Sequence, residues 1–139
     1  MAPLWELCLK GRLDEVQSAL ARGKDVNDKD STGATALMCA VRGSRNSIVK
    51  LLLEQPGVKI NEKITWRWTA LHYAVLYNNP KVARMLLLHP TMDSANSKDN
   101  KGETAVMVAV RRFSKEVLIE FIKHESVSLD IGNVVGNVR

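Results

Sequence analysis

Apolar residues recur along this chain in short blocks with a nearly constant period. A block that opens with a threonine occurs at Thr35, Thr69 and Thr104, at intervals of 34 and 35 residues. A bulkier aliphatic block follows each threonine 13 residues later, at residues 48–53, 82–87 and 117–122. Each unit closes on an apolar residue and an asparagine, at positions 26–27, 60–61 and 95–96. Such self-similarity is the signature of an architecture built from stacked repeats.

Each repeat predicts two helices. The first is short and begins at the threonine, whose hydroxyl can accept hydrogen bonds from free backbone N–H groups. Ala40, Ala74 and Ala109 lie in these first helices, and such small residues let neighbouring helices approach closely. The aliphatic blocks are spaced i, i+3 and i+4, as in an amphipathic second helix. Gly23 and Gly57 follow the ends of predicted second helices, where a left-handed residue commonly ends a helix.

The turns before the threonines resemble those of the ankyrin-repeat family. Residues 30–37 and 99–105 are similar to its unit of about 33 residues, in which a turn precedes a Thr-Pro-Leu-His-like helix start. Alanine at positions 36, 70 and 105 replaces the family's proline, and residues 4–27 resemble a capping repeat without the turn. The resemblance implies an all-α ankyrin-repeat solenoid in one domain, residues 1–139. Its four units are 1–27, 28–61, 62–96 and 97–130.

Size and the capping segment are similar to those of small stand-alone ankyrin proteins such as myotrophin, and to the small kinase-inhibiting ankyrin proteins. The tail, residues 131–139, begins where a fifth turn would start. Two interpretations of this tail stand side by side: a frayed terminus, or the start of a longer repeat array.

Composition adds limits on the class of protein. The chain of 139 residues has 20 Lys and Arg against 15 Asp and Glu, a net charge of +5. This excess favours acidic partners or nucleic acid, but the basic residues are spread along the chain, as on an ordinary solvated surface. No apolar run approaches the roughly 18 residues of a membrane span, and the first residues do not resemble a secretion signal. Cys8 and Cys39 are expected to be buried free thiols. We therefore expect a cytosolic or nuclear protein without membrane insertion.

Motifs of catalysis do not occur in this sequence. It contains no nucleophile elbow, no glycine-rich phosphate loop and no His-Glu-Xaa-Xaa-His. His72, His89 and His124 fall in different units, and His72 matches the family position at which an imidazole braces the turn. We therefore predict a binding protein rather than an enzyme, with no cofactor and no metal site.

The third unit has an unusual turn, residues 64–68, without the Asp and Gly of its neighbours. Arg67 stands in place of a glycine, where a positive φ costs a non-glycine residue about 1 kcal/mol, so the standard turn shape is in doubt. Trp66 and Trp68 either fold onto neighbouring turns as filler or contact a partner. We favour a partner contact for Trp66 and give the filler interpretation more weight for Trp68. Phe113, where other units have Ser or Asn, either packs beneath the next unit or adds to the binding face.

The resemblance places turn tips and the inner ends of first helices on one concave face. The positions there are Ser31, Thr32, Ala34, Arg42, Thr65, Trp66, Trp68, Leu76, Tyr77, Asn100, Lys101, Glu103, Arg111 and Arg112. Exposed Trp, Tyr and Arg dominate binding hot spots. The predicted partner-binding residues are Trp66, Tyr77, Trp68, Leu76, Thr65, Arg67, Arg42, Arg111, Arg112 and Lys101. We expect a protein partner that offers an apolar anchor flanked by acidic residues.

The alternative function is binding of nucleic acid or another acidic ligand. The candidate residues are Arg42, Arg67, Arg84, Arg111 and Arg112. A steep fall of affinity with salt would indicate nucleic acid, and a shallow one a protein partner.

Overall fold

The computed structural model describes residues 2–64 and 66–124. Within these residues the chain forms eight α-helices, in agreement with the predicted all-α class. They are α1 (Leu4–Lys10), α2 (Leu13–Ala21), α3 (Ala36–Arg42), α4 (Asn46–Leu53), α5 (Ala70–Leu76), α6 (Pro80–Leu88), α7 (Ala105–Arg111) and α8 (Lys115–Lys123). The only β-type pairing in this part of the chain is an isolated bridge between Lys29 and Thr35.

The first helices begin as the sequence predicts. Thr35, Thr69 and Thr104 are the N-caps of α3, α5 and α7, and each hydroxyl accepts a hydrogen bond from the backbone N–H three residues on. Asn79 caps α6 in the same way, with Pro80 in the first turn, where its missing N–H costs nothing. The repeated threonine is thus explained by its capping role.

The helices pack in two layers. The first helices α1, α3, α5 and α7 contact one another in sequence order, and the second helices α2, α4, α6 and α8 form the other layer. Ala40, Ala74 and Ala109 are fully buried. Because an alanine has almost no side-chain volume, neighbouring first helices can pack closely at these positions.

Asparagines link successive units. The side-chain amide of Asn27 donates to the carbonyl of Gly57 over 2.9 Å and accepts from the N–H of Lys59 over 2.8 Å. Asn61 repeats this one unit later, donating to the carbonyl of Thr91 over 2.7 Å. The asparagine that closes these units in the sequence therefore joins one unit to the next.

The unusual third turn shares with its neighbours the closing hydrogen bond and a left-handed residue before its last position. In the turns 30–34 and 99–103 the first N–H donates to the last carbonyl, over 2.9 and 2.8 Å. Ile64 and Trp68 form the same bond over 3.0 Å, and Arg67 adopts φ of 62° where the other turns have glycine. Arg67 therefore takes the left-handed conformation of the glycines that it replaces, as expected from the sequence at a cost for a non-glycine residue.

Cys8 and Cys39 are buried and unpaired, which confirms the prediction. Burial raises the pKa of each thiol to about 12, so both are neutral and unreactive in the folded protein. Phe113 lies between α7 and α8 with φ of 54° and is 89% exposed. Among the described residues its ring therefore packs beneath no other unit.

Candidate functional site

A groove of about 530 Å³ lies where the last two described turns meet the ends of first helices. We call it the turn groove. Its lining residues are Arg42, Trp66, Trp68, Tyr73, Leu76, Tyr77, Asp99, Asn100, Lys101, Glu103 and Arg111. They come from α3, α5 and α7 and from the turns 64–68 and 99–103, so the stacking of units builds the groove.

The turn groove has an aromatic wall. Tyr73 lies on α5 and Tyr77 directly follows the end of that helix, and their rings stack with centroids 6.1 Å apart at 17°. Trp68 meets Tyr73 edge-on at 5.6 Å and 82°. Both arrangements are favoured by the ring quadrupoles. Leu76 lies beside them, partly buried.

Trp68 is held in place by its neighbours. Its indole N–H donates to Oδ2 of Asp99 over 3.0 Å, and its ring stacks on His72 at 5.8 Å and 19°. Burial opposes ionisation of Asp99, but backbone N–H groups of Glu103 and Lys101 and the Trp68 indole outweigh it and lower its pKa. Trp68 thus bridges two turns, which supports the filler interpretation for this residue.

His72 braces the same region from below. Its Nε2 donates to the carbonyl of Glu103 over 3.1 Å, because a carbonyl can only accept, and Nδ1 then accepts from the N–H of Thr69 over 3.3 Å. Burial lowers the pKa of His72, although the Glu103 carbonyl opposes this shift. The neutral imidazole is therefore a structural part of the turn, as its position in the sequence predicts.

Trp66 combines a fixed backbone with an exposed ring. Its carbonyl accepts from the N–H of Asn100 over 3.0 Å, which ties the two turns together. Its side chain is 58% exposed. The ring therefore projects from a held segment at the edge of the turn groove.

The groove carries an uneven charge. Arg111 binds Glu103 through two hydrogen bonds of 2.9 and 3.0 Å, so this arginine is neutralised rather than available at the border. Arg42 and Lys101 are exposed and form no ion pair among the described residues. With three cationic and two acidic lining residues, the groove has an excess of one positive charge.

The structure brings together most of the predicted site residues. Those that line the groove are Trp66, Trp68, Leu76, Tyr77, Arg42, Lys101 and Arg111. Arg67 and Arg112 are exposed but do not line it, and Thr65 lies outside the described residues. Sequence reasoning missed Tyr73, although its spacing of four from Tyr77 places both on one helix face.

Arg84 lies apart from the other arginines proposed for nucleic acid. It belongs to α6, in the layer of second helices, and lines grooves beside Leu88. The prediction that five arginines share one face is therefore wrong for Arg84.

Residues 2–64 and 66–124 contain neither a cluster of metal-binding side chains nor a helix that could span a membrane. In this part of the chain no group of three His, Cys, Asp or Glu side chains is arranged to hold a metal ion. None of its helices has the length and apolar character that crossing a bilayer requires.

Comparison with known proteins identifies the class. Residues 4–94 match the family of ankyrin repeats in three copies. The chain belongs to the ankyrin-repeat family, whose repeats are protein–protein interaction modules.

The chain matches only a small part of the length of each relative. It is 29% identical to Rabankyrin-5 of Mus musculus over 112 residues, 81% of this chain and 10% of that protein. It is 29% identical to Inversin of Canis lupus familiaris over 136 residues, 98% of this chain and 12% of that protein. It is 31% identical to RelA-associated inhibitor of Mus musculus over 103 residues, 74% of this chain and 12% of that protein. The chain therefore spans about a tenth of these relatives.

Proposed function

We propose that this chain is a protein–protein interaction module that binds its partner in the turn groove, on the concave face. The observation that carries the proposal is the exposed Trp66 beside the aromatic wall of Trp68, Tyr73 and Tyr77. Membership of the ankyrin-repeat family supports the general function. The name of one relative, RelA-associated inhibitor, also describes association with another protein.

Trp66 is the anchor of the proposed site. Its backbone is already held by Asn100, so binding orders only the side chain, and less conformational entropy is lost than from a mobile loop. Tyr77 is 40% exposed and Leu76 is partly buried, so a partner's apolar side chain would cover aromatic and aliphatic surface together. Large apolar anchors of this kind dominate interface energies.

Charge supports an acidic partner segment. Arg42 and Lys101 stand at the groove without ion-pair partners in the described residues. An Asp or Glu beside the partner's apolar anchor would complement them. Charges at such a border mainly raise the association rate and set its dependence on salt.

We infer a protein partner rather than nucleic acid. Arg111 is neutralised by Glu103, and Arg84 belongs to the other helix layer. Phosphate contacts by a row of free cations give nucleic-acid binding its steep salt dependence. The turn groove instead combines two carboxylates with apolar rings, so we expect a shallow salt slope.

We infer binding rather than catalysis for the same surface. Three groups in and below the groove have shifted pKa values. Burial raises the pKa of Tyr73, so its hydroxyl stays protonated and does not act as a base. Asp99 and His72 already use their polar atoms in hydrogen bonds within and between turns. A general acid or base must instead present its proton to a substrate. These shifts therefore support a structural role.

Affinity capture tests the proposal. We expect wild-type protein to capture from cell extract a partner that Trp66→Ala does not capture. Ile122→Ala is the matched control, because Ile122 is 65% exposed but lies on α8, away from the turn groove. If all three proteins capture the same set, the proposed site is wrong.

A further inference from the structure

A second apolar surface lies on the layer of second helices. A groove of about 530 Å³ lies between α4 and α6, lined among others by Lys50, Lys81, Met85 and Leu88. A smaller groove of about 230 Å³ continues between α6 and α8. Arg84 and Leu88 line both. We call the two together the helix groove.

Leu88 stands where the two parts of the helix groove meet. Its side chain is 64% exposed, and Met85 beside it is partly buried. The larger part of the groove exposes mainly apolar atoms on residues that are mostly polar or charged. The stems of the long basic side chains explain this, since lysine and arginine stems cover surface while their charged ends reach water.

The charges of the helix groove are mainly positive. Lys50, Lys81, Arg84 and Lys123 line it, against a single carboxylate, Glu120. Among the described residues none of these four cations forms an ion pair. The surface therefore holds apolar area inside a border with an excess of positive charge.

We propose that the helix groove is a second docking surface, which takes an acidic segment of another protein with one aliphatic or aromatic side chain seated against Leu88. Carboxylates on either side of that side chain would pair with Arg84 and the flanking lysines. Charge complementarity of this kind guides association and sets orientation.

The features of the groove favour this occupant over two others. A second copy of the chain also carries a net charge of +5, so the two copies would repel each other. An anionic membrane surface is bound by helices that insert a broad apolar face. Here the apolar area is a groove between helices, with Leu88 as its one strongly exposed aliphatic residue.

The helix groove is independent of the turn groove. The two share no lining residue, and they lie on different helix layers. One chain would therefore hold two partners, or two segments of one partner, at the same time. Two linked contacts bind more tightly than either alone when the linker spans them.

Selection from a phage-displayed library of random 16-residue peptides tests the proposal. Peptides are selected on wild-type protein, and those that also bind the double variant Arg84→Glu/Leu88→Glu are removed. This step discards ligands of the turn groove, which the double variant retains. We expect the remaining peptides to carry Asp or Glu around one Leu, Ile, Met or Phe.

A synthetic copy of the most enriched peptide is then titrated against single variants whose circular dichroism matches wild type. Arg84→Glu and Leu88→Glu should each weaken binding at least tenfold. Ile122→Glu is the matched control, because Ile122 is 65% exposed on α8 and lines neither groove. It should stay within twofold of wild type, and so should Trp66→Ala.

Several results would overturn the proposal. The proposal is wrong if no peptide survives the counter-selection or if the surviving peptides lack acidic residues. It is also wrong if Ile122→Glu weakens binding as much as Leu88→Glu. Loss of peptide binding in Trp66→Ala would assign the ligand to the turn groove. Vesicles of phosphatidylserine and phosphatidylcholine form the last arm: binding to them that depends on Leu88, with no surviving peptide, would make a membrane the occupant.

Discussion

The indole N–H of Trp68 donates a 3.0 Å hydrogen bond to Oδ2 of Asp99, which lies 31 residues further along the chain. The other carboxylate oxygen of Asp99 accepts from the N–H groups of Lys101 and Glu103, which close its own turn. One carboxylate therefore shapes one turn and anchors the aromatic residue of the turn before it. Together with the bond of the Asn100 N–H to the Trp66 carbonyl and that of His72 to the Glu103 carbonyl, this bond joins the two turns that line the turn groove.

Replacement of Trp68 by Phe tests this bond. The substitution keeps an aromatic ring but removes the N–H donor, leaving a charged acceptor short of one partner. Hydrogen bonds to charged groups contribute about 1.5–3 kcal/mol, so we expect Trp68→Phe to lower the free energy of unfolding by about that amount. Urea denaturation followed by circular dichroism measures it.

A double-mutant cycle is the control for this prediction. In an Asp99→Ala background the bond is already absent, so Trp68→Phe should cost clearly less than in wild type. Equal costs in both backgrounds would mean that the loss comes from ring packing and not from the hydrogen bond.

Stability should fall in mild acid because of His72. Burial lowers the pKa of His72 in the folded state, so the unfolded chain, with a pKa of about 6.5, binds the proton more readily. The stability that neutral His72 contributes to the folded state is fully present above about pH 6.5. It is lost as the pH falls from there towards the pKa of His72 in the folded state. We expect the urea midpoint of wild type to decrease between pH 7 and pH 5.

His72→Gln provides the comparison for the pH experiment. Glutamine does not titrate, so the midpoint of this variant should change less over the same interval, even if it starts lower. An identical pH dependence in both proteins would show that other groups cause the acid sensitivity.

The helices and the turn groove differ in how far sequence could predict them. The helix starts depend on local capping by Thr35 and its equivalents, so the repeat phase was sufficient to predict them. The same phase grouped Trp66, Leu76 and Tyr77, and all three line the turn groove, because it fixes the place of each in its turn or at the end of its first helix. The repeat phase also places Arg84 in the second-helix block 82–87. This signal was not used when Arg84 was grouped with the other arginines.

Other features depend on contacts that no repeat phase encodes. The pairing of Arg111 with Glu103 depends on the side-chain conformations of two residues in different elements. The left-handed conformation of Arg67 is imposed by closure of its turn and by the bond of the Trp66 carbonyl to Asn100. Both result from tertiary packing, which overrides the local preference of a residue.

Close packing between first helices predicts the effect of a larger residue. Ala74 is fully buried on α5, which contacts both α3 and α7. Ala74→Leu should therefore lower the free energy of unfolding by about 1–3 kcal/mol through overpacking. Ala21→Leu is the control, since Ala21 is exposed at the end of α2 and its change should have little effect. Matching denaturant midpoints for Ala74→Leu and wild type would place position 74 outside the tight interface.

Backbone strain at Phe113 predicts a stabilising substitution. The residue has φ of 54° and an 89% exposed side chain, so it combines conformational strain with little packing. Gly11 occupies the equivalent place in the first unit with φ of 78°. Phe113→Gly should raise the free energy of unfolding by up to about 1 kcal/mol, because glycine adopts this region without a steric penalty. Phe113→Ala keeps the Cβ and should show no such gain; an equal gain in both variants would assign the effect to removal of the ring.

The turn groove makes a prediction that separates its apolar centre from its charged border. For the partner identified by capture, Trp66→Ala should weaken affinity by about 2 kcal/mol or more, roughly 30-fold, because the variant loses the anchor. Its urea midpoint should match wild type, since the Trp66 side chain is 58% exposed and only its backbone holds the turn. Arg42→Gln should act mainly on the association rate, and its effect should shrink as salt rises, because exposed charges are screened. Surface plasmon resonance at two salt concentrations measures both variants. Affinity of Trp66→Ala within twofold of wild type would show that the partner binds elsewhere and that this tryptophan, like Trp68, belongs only to the turn.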